Sequence, residues 1–139
     1  YNKKPLVEAS KKIVLKAINN CKTGVKISHI GSIIETEAKK MGFTVIRNLA
    51  GHGVGKSLHE NPETILNCKD KNNKERFKKN SVVAIETFIS EKSTIANELE
   101  DGWTLVGNKK GCVTQHEHTI VITDDKPIIL TKNNQISTF

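Results

Sequence analysis

Three glycines and two histidines stand together in residues 51–60, which read GHGVGKSLHE. Because glycine lacks a side chain, this run can adopt a positive φ and can approach another part of the chain closely. We therefore expect His52 to be presented at a bend, with His59 facing the same cavity. The run by itself is equally compatible with a glycine turn that carries a surface histidine.

Two amphipathic helices are predicted before this run. Apolar residues recur at helical spacing over residues 5–21 and again over residues 28–41. Ser28 is a candidate N-cap for the second helix, and Gly42 is its expected stop.

Several strands are predicted around and after the glycine run. β-branched stretches occupy residues 43–47, 81–89 and 112–123, and residues 127–130 follow a turn as a hairpin partner. The polar, lysine-rich segment 67–80 is predicted to be a solvent-exposed loop, and residues 133–139 are predicted to form a tail. The order predicts an α+β domain with helices covering one face of an antiparallel sheet.

Length, charge and cysteines restrict the functional classes. The 139 residues, 36% hydrophobic, suit one domain, and no apolar run reaches the roughly 18 residues of a membrane span. The net charge is +7, but arginine and aromatic residues are sparse among the lysines, so we expect no specific nucleic-acid partner. Three cysteines without a C-x-x-C pair favour reduced thiols and a cytoplasmic protein.

Glu86 is a carboxylate in the middle of the most strand-like stretch. Strict alternation places it on one face with Val82, Ala84 and Phe88. A carboxylate on an apolar face costs several kcal/mol unless it meets a cation, a metal or a hydrogen-bond donor. The alternatives are therefore a functional ligand and a structural salt bridge to a lysine.

The stretch 112–123 contains Glu117 between two histidines. Alternation places His116 and His118 on one face and Glu117 on the other. The three side chains therefore cannot meet one metal ion from a regular strand. His52, Glu86 and Glu117 remain as one imidazole and two carboxylates, a donor set that suits manganese, iron, cobalt or zinc.

Four motifs in this order resemble the bacterial type of methionine aminopeptidase. They are GHGVGKSLHE at 51–60, AIE at 84–86, DGW at 101–103 and QHEHT at 115–119. A looser similarity extends over essentially the whole chain, including the two helices and the end of the last predicted strand.

The resemblance implies half of a pita-bread fold, with helices packed on a curved antiparallel sheet. It also implies removal of N-terminal methionine from nascent proteins through a water activated by two divalent metal ions. By position, His52, Glu86 and Glu117 resemble metal ligands, Glu117 bridging both ions, and Glu86 also handles protons. His59 resembles the histidine that contacts the scissile amide. Leu58 and Trp103 fall where the family lines its methionine pocket, and a core anchor is the alternative for Trp103.

The sequence also departs from the family pattern. The family uses two further aspartates, about ten residues apart and upstream of this region, whereas no aspartate precedes Asp70 here. Leu58 replaces an aromatic residue, and Thr87 stands where proline is usual. With Tyr1 as first residue, these departures predict that residues 1–139 are the C-terminal portion of one metallopeptidase domain, monomeric once its N-terminal half is present.

Two other functions remain open at this point. One is a non-catalytic pita-bread module that binds protein or RNA, with His52, Glu86 and Glu117 as structural remnants. The other is a related Xaa-Pro or creatine-type hydrolase. Retention of these three residues together with His59 favours an enzyme, and the glycine spacing favours the methionine enzyme.

Overall fold

The computed structural model describes residues 2–133 and consists of two helices followed by eight strands. The helices are α1 (Lys4–Asn19) and α2 (Ile27–Lys40). The strands are β1 (Thr44–Val45), β2 (Ala50–Val54), β3 (Glu60–Leu66), β4 (Val82–Ser90), β5 (Ala96–Glu98), β6 (Leu105–Gly107), β7 (Val113–Val121) and β8 (Ile128–Ile129). This order confirms the predicted α+β class.

The main sheet is antiparallel and centred on β4. Its strand order is β3-β2-β4-β7-β8, and β1 pairs with the last residues of β4. β5 and β6 form a separate two-stranded sheet. The hairpin partner predicted at 127–130 is present as β8, which pairs with β7.

The helices cover one face of the main sheet and form the core with it. Both helices contact strands of this sheet, and the isoleucines that they bury lie in one cluster with Val83, Ile85 and Ile89 of β4. Alternation sends these β4 side chains toward the helices. Ala84, Glu86 and Phe88 consequently point to the opposite face.

Both helices end close to their predicted bounds, but the predicted cap of α2 is wrong. Lys26 occupies the N-cap position and makes no side-chain cap hydrogen bond, whereas Ser28 lies within the first turn. The expected stop is confirmed, because Gly42 follows the C-cap residue with a φ of 81°.

Segment 67–80 is less solvated than its composition predicts. Asn67, Cys68 and Phe77 are buried, and the backbone of Phe77 exchanges hydrogen bonds with Val25 and Gly24 at the start of α2. The segment is therefore anchored at both ends. Of the predicted tail, residues 134–139 lie outside the described residues.

Candidate metal centre

His52 lies in β2, not at the bend that the glycines predict. Gly51 and Gly53 belong to the same strand, and neither has a positive φ. Gly51 is required for a different reason: a Cβ atom there would collide with the carbonyl oxygen of Ala84 on β4. The prediction of close approach is thus confirmed, and the prediction of a bend is wrong.

Strand register brings the predicted ligands to one face of the sheet. Glu86 pairs directly with Glu117 of β7, and His52 pairs with Ala84 of β4. Directly paired residues share a face, and so do residues two apart in one strand. The three side chains therefore point away from the helices.

His52 directs one ring nitrogen at Glu86. Its Nδ1 lies 2.8 Å from the carbonyl oxygen of Gly53, which can only accept, so Nδ1 carries the proton. Nε2, the other ring nitrogen, faces Glu86 Oε1 at 3.4 Å. An imidazole nitrogen and a carboxylate oxygen at this separation leave room for a shared cation.

Glu86 is held in an environment that opposes its negative charge. Burial and the neighbouring Glu117 raise the pKa of Glu86 to about 7, against the lowering effects of His52 and Gln115. Among residues 2–133, the basic side chain within ion-pair distance of Glu86 is that of His52, so a structural salt bridge to lysine is not the explanation for this carboxylate.

His59 joins the cluster from the start of β3. Its ring centroid lies 3.9 Å from that of His52, with 39° between the ring planes. His52 is buried, whereas His59 is exposed. His59 therefore occupies the solvent side of the cluster.

The two histidines of β7 lie on the opposite face, as alternation predicts. His116 Nδ1 contacts Ser10 Oγ of α1 at 2.8 Å, and His118 Nδ1 contacts Thr131 Oγ1 at the same distance. Burial lowers the pKa of both imidazoles. They take no part in the cluster.

Leu58 and Trp103 are highly exposed in this chain. Their exposed fractions are 73% and 86%, so a core-anchor role for Trp103 is wrong. Trp103 lies in the turn between β5 and β6, where its backbone N–H donates to Asp101. Their assignment to a methionine pocket stays a prediction.

Two residues that the sequence interpretation left without a role contact Glu86. Gln115 Nε2 donates to Glu86 Oε2 at 2.9 Å, and Asn67 bonds to the backbone around Glu86. Gln115 could have been found, because it lies two residues before Glu117 and shares its face. Asn67 could not have been found, because the sequence pattern does not distinguish it from the other polar residues of its segment.

The donor types fit a divalent ion, but the described residues do not form a closed site. Within residues 2–133, no group of three or more His, Cys, Asp and Glu side chains is arranged to hold a metal ion. The facing lone pairs of His52 and Glu86, with Glu117 beside them, nevertheless form an arrangement that a cation would stabilise.

The model of metallopeptidase family M24 matches residues 2–124. The chain belongs to this family. The chain is 45% identical over 127 residues to methionine aminopeptidase 2 of Bacillus subtilis, covering 91% of this chain and 51% of that protein. It is 40% identical over 116 residues to a methionine aminopeptidase of Staphylococcus epidermidis, covering 84% of this chain and 46% of that protein.

The crystal structure of methionine aminopeptidase from Thermotoga maritima superposes on this M24 chain with a TM-score of 0.85 at 36% identity. The match covers 92% of this chain and 51% of that one. The predicted pita-bread fold is thereby confirmed. The chain spans about half the length of the curated relatives that it matches.

Neither helix in the described part of the chain is long and apolar enough to cross a membrane.

Proposed function

We propose that this chain supplies the imidazole and two-carboxylate side of a divalent-metal site in an aminopeptidase that removes N-terminal methionine. The observation that carries the proposal is the placement of His52, Glu86 and Glu117 on one sheet face, with His59 beside them. The identity to methionine aminopeptidases over most of the chain supports the substrate class.

In this proposal His52, through Nε2, and the two glutamates would hold the metal. A bound divalent ion would supply Lewis-acid chemistry, polarising a water or a carbonyl oxygen. The proposal of two ions, and of cobalt, manganese, iron or zinc, follows the family resemblance. The upstream aspartates expected for a second ion have no counterpart before Asp70 in this chain.

The residues around the ligands have distinct roles. The Gly53 carbonyl holds the His52 ring with Nε2 directed toward Glu86. Gln115 binds Glu86 Oε2 and so leaves Oε1 facing His52. His59 lies on the exposed side, and in this proposal it donates a hydrogen bond to the scissile amide of a peptide as negative charge develops there.

The test measures release of methionine from a Met-Ala-Ser peptide by the full-length protein that the gene encodes, with and without a chelator. We expect activity that requires divalent metal and falls about 100-fold or more in His59→Ala, since oxyanion-type donors contribute on that scale. His29→Ala, in the first turn of α2, is the matched control and should keep full activity. Metal-independent hydrolysis, or an unaffected His59→Ala enzyme, would overturn the proposal.

A non-catalytic module is the second candidate, favoured by the lack of a closed ligand group among residues 2–133. The same assay separates the two functions, because a non-catalytic module releases no methionine under any metal condition. Monomeric state and cytoplasmic location of the complete protein remain predictions.

A further inference from the structure

The strand that carries Glu86 lacks a continuous partner along one edge. β2 pairs with β4 at residues 82–84, and β1 pairs with it at residues 89–90. Residues 86–88 lie between these two pairings, at the position of the central candidate ligand. A buried peptide group in such a gap needs another hydrogen-bond partner.

The side chain of Asn67 occupies this gap. Its Nδ2 donates to the Glu86 carbonyl oxygen at 2.7 Å, and its Oδ1 accepts from the Phe88 N–H, also at 2.7 Å. The side-chain amide thereby supplies the N–H donor and the carbonyl acceptor that the backbone of a neighbouring strand would otherwise supply. Asn67 itself has no exposed surface, so water cannot replace these bonds.

Asn67 also connects two elements of the site. It directly follows β3, which pairs with β2 through Leu66 and Ala50. The β2-β3 hairpin carries His52, and His59 immediately precedes β3. One buried side chain therefore joins the hairpin with the histidines to the strand with Glu86.

We propose that Asn67 is a positioning residue, which fixes the Glu86 backbone so that its carboxylate faces His52 Nε2. This inference rests on the proposed function, because Glu86, the residue that Asn67 positions, is a metal ligand only in that function. The Asn67 side chain bonds the backbone of β4 and not the Glu86 carboxylate, so it acts through the geometry of Glu86. Residues that orient metal ligands commonly change metal affinity by about 10- to 100-fold when they are replaced.

Asn48 offers a matched control within the same chain. Its Nδ2 donates to the Ala96 carbonyl oxygen at 2.8 Å, and its Oδ1 accepts from the Ala96 N–H at 2.9 Å. Like Asn67, Asn48 bonds a strand backbone through both ends of its amide, but it is exposed, and both bonds go to a single residue of β5, which carries no candidate ligand. A loss of Co²⁺ affinity at Asn48 as well would show an effect that does not act through Glu86.

The experiment compares Asn67→Leu, Asn67→Asp and Asn48→Asp in the full-length protein. Leucine has a similar size and removes both bonds, whereas ionised aspartate keeps the acceptor for Phe88 and removes the donor to Glu86. Co²⁺ affinity is measured by calorimetry, the ligand geometry by the visible absorption of bound Co²⁺, and Phe88 N–H protection by hydrogen exchange.

We expect both Asn67 variants to bind Co²⁺ about 10- to 100-fold more weakly, with an altered absorption spectrum. Phe88 protection should be lost in Asn67→Leu and retained in Asn67→Asp. Asn48→Asp should keep the affinity and spectrum of the unsubstituted protein. If Asn67→Leu does not fold, the proposal is tested by comparing Asn67→Asp with Asn48→Asp.

Unchanged Co²⁺ affinity in folded Asn67→Asp would overturn the positioning role while leaving the proposed function intact. An equal loss in Asn48→Asp would also overturn it, because the effect would then be general. Failure of the unsubstituted protein to bind Co²⁺ would instead overturn the proposed function.

Discussion

Glu86 of β4 and Glu117 of β7 are direct partners across two antiparallel strands. Like charges in this position destabilise a sheet, and here they occur beside a lone pair of His52. Such an arrangement is unfavourable for folding alone and favourable for holding a cation. In the proposed function, this pairing links metal binding to the stability of the sheet.

Removing one of these charges should stabilise the metal-free protein. We expect Glu117→Gln to raise the free energy of unfolding by about 0.5 kcal/mol in the presence of a chelator, within the range of cross-strand pair effects. Glu98→Gln, on the exposed β5, should change it little. With excess divalent metal the order should reverse, because the variant loses a ligand. A metal-free Glu117→Gln protein that unfolds more easily in thermal melts would contradict this prediction.

Gly51 should tolerate no side chain, because its Cβ would meet the β4 backbone at Ala84. We expect Gly51→Ala to lower the free energy of unfolding by about 1–3 kcal/mol, as overpacking of a close contact does. Metal affinity should fall as well, since β2 moves away from Glu86. Gly102→Asn is the control: this exposed position has open space, and asparagine tolerates its φ of 65°. Denaturant titration of both variants would test the prediction, and equal stability losses would contradict it.

The pair of helices should lose a stabilising ion pair in acid. Glu37 of α2 bonds to Lys16 of α1 and to Lys40, each at 2.9 Å, and these lysines hold the pKa of Glu37 below its usual range. A carboxylate with a lowered pKa stabilises the fold above its unfolded pKa of about 4.3 and loses that contribution as the pH falls through the folded value. Glu37→Gln should therefore be less stable than the unsubstituted protein at pH 7, by about 1 kcal/mol at most, because both lysines are exposed. Thermal melts at decreasing pH below about 4.3 should show this difference shrink, and a difference that stayed constant throughout acid titration would contradict the ion-pair explanation.

The three cysteines should react with a thiol reagent at very different rates. Cys112 is exposed, whereas Cys21 and Cys68 are buried, and burial raises the pKa of both buried thiols. We expect one thiol per folded chain to react quickly with Ellman's reagent and the other two to react after unfolding. Cys112→Ser should abolish the fast phase, and its survival in that variant would show that a buried cysteine is accessible.

The 139-residue chain by itself should bind divalent metal weakly and show little or no peptidase activity. It offers one imidazole and two carboxylates, and the described residues form no closed ligand group. Calorimetry with Mn²⁺ or Co²⁺ would measure the stoichiometry and affinity. Tight binding of two ions by this chain would contradict the prediction.

Much of the site could be inferred from local sequence pattern. Side-chain alternation is a property of the strand backbone itself, so it correctly separated Glu117 from His116 and His118. The ordered motifs likewise predicted His52 and Glu86 as ligands, and the structure brings the two side chains to one face of the sheet. The prediction that His52 lies at a bend was wrong. Whether a glycine allows a positive φ or a close contact depends on the strand that packs beside it.

The sequence by itself determined the order of helices and strands and the side-chain alternation that separates Glu117 from His116 and His118. The tertiary structure decided which side chains hold Glu86 in place. Asn67 and Gln115 reach it across 19 and 29 residues of sequence. Those contacts depend on strand register and on burial of the chain after β3, which arise from packing of the whole sheet against the helices and leave no local pattern in the sequence.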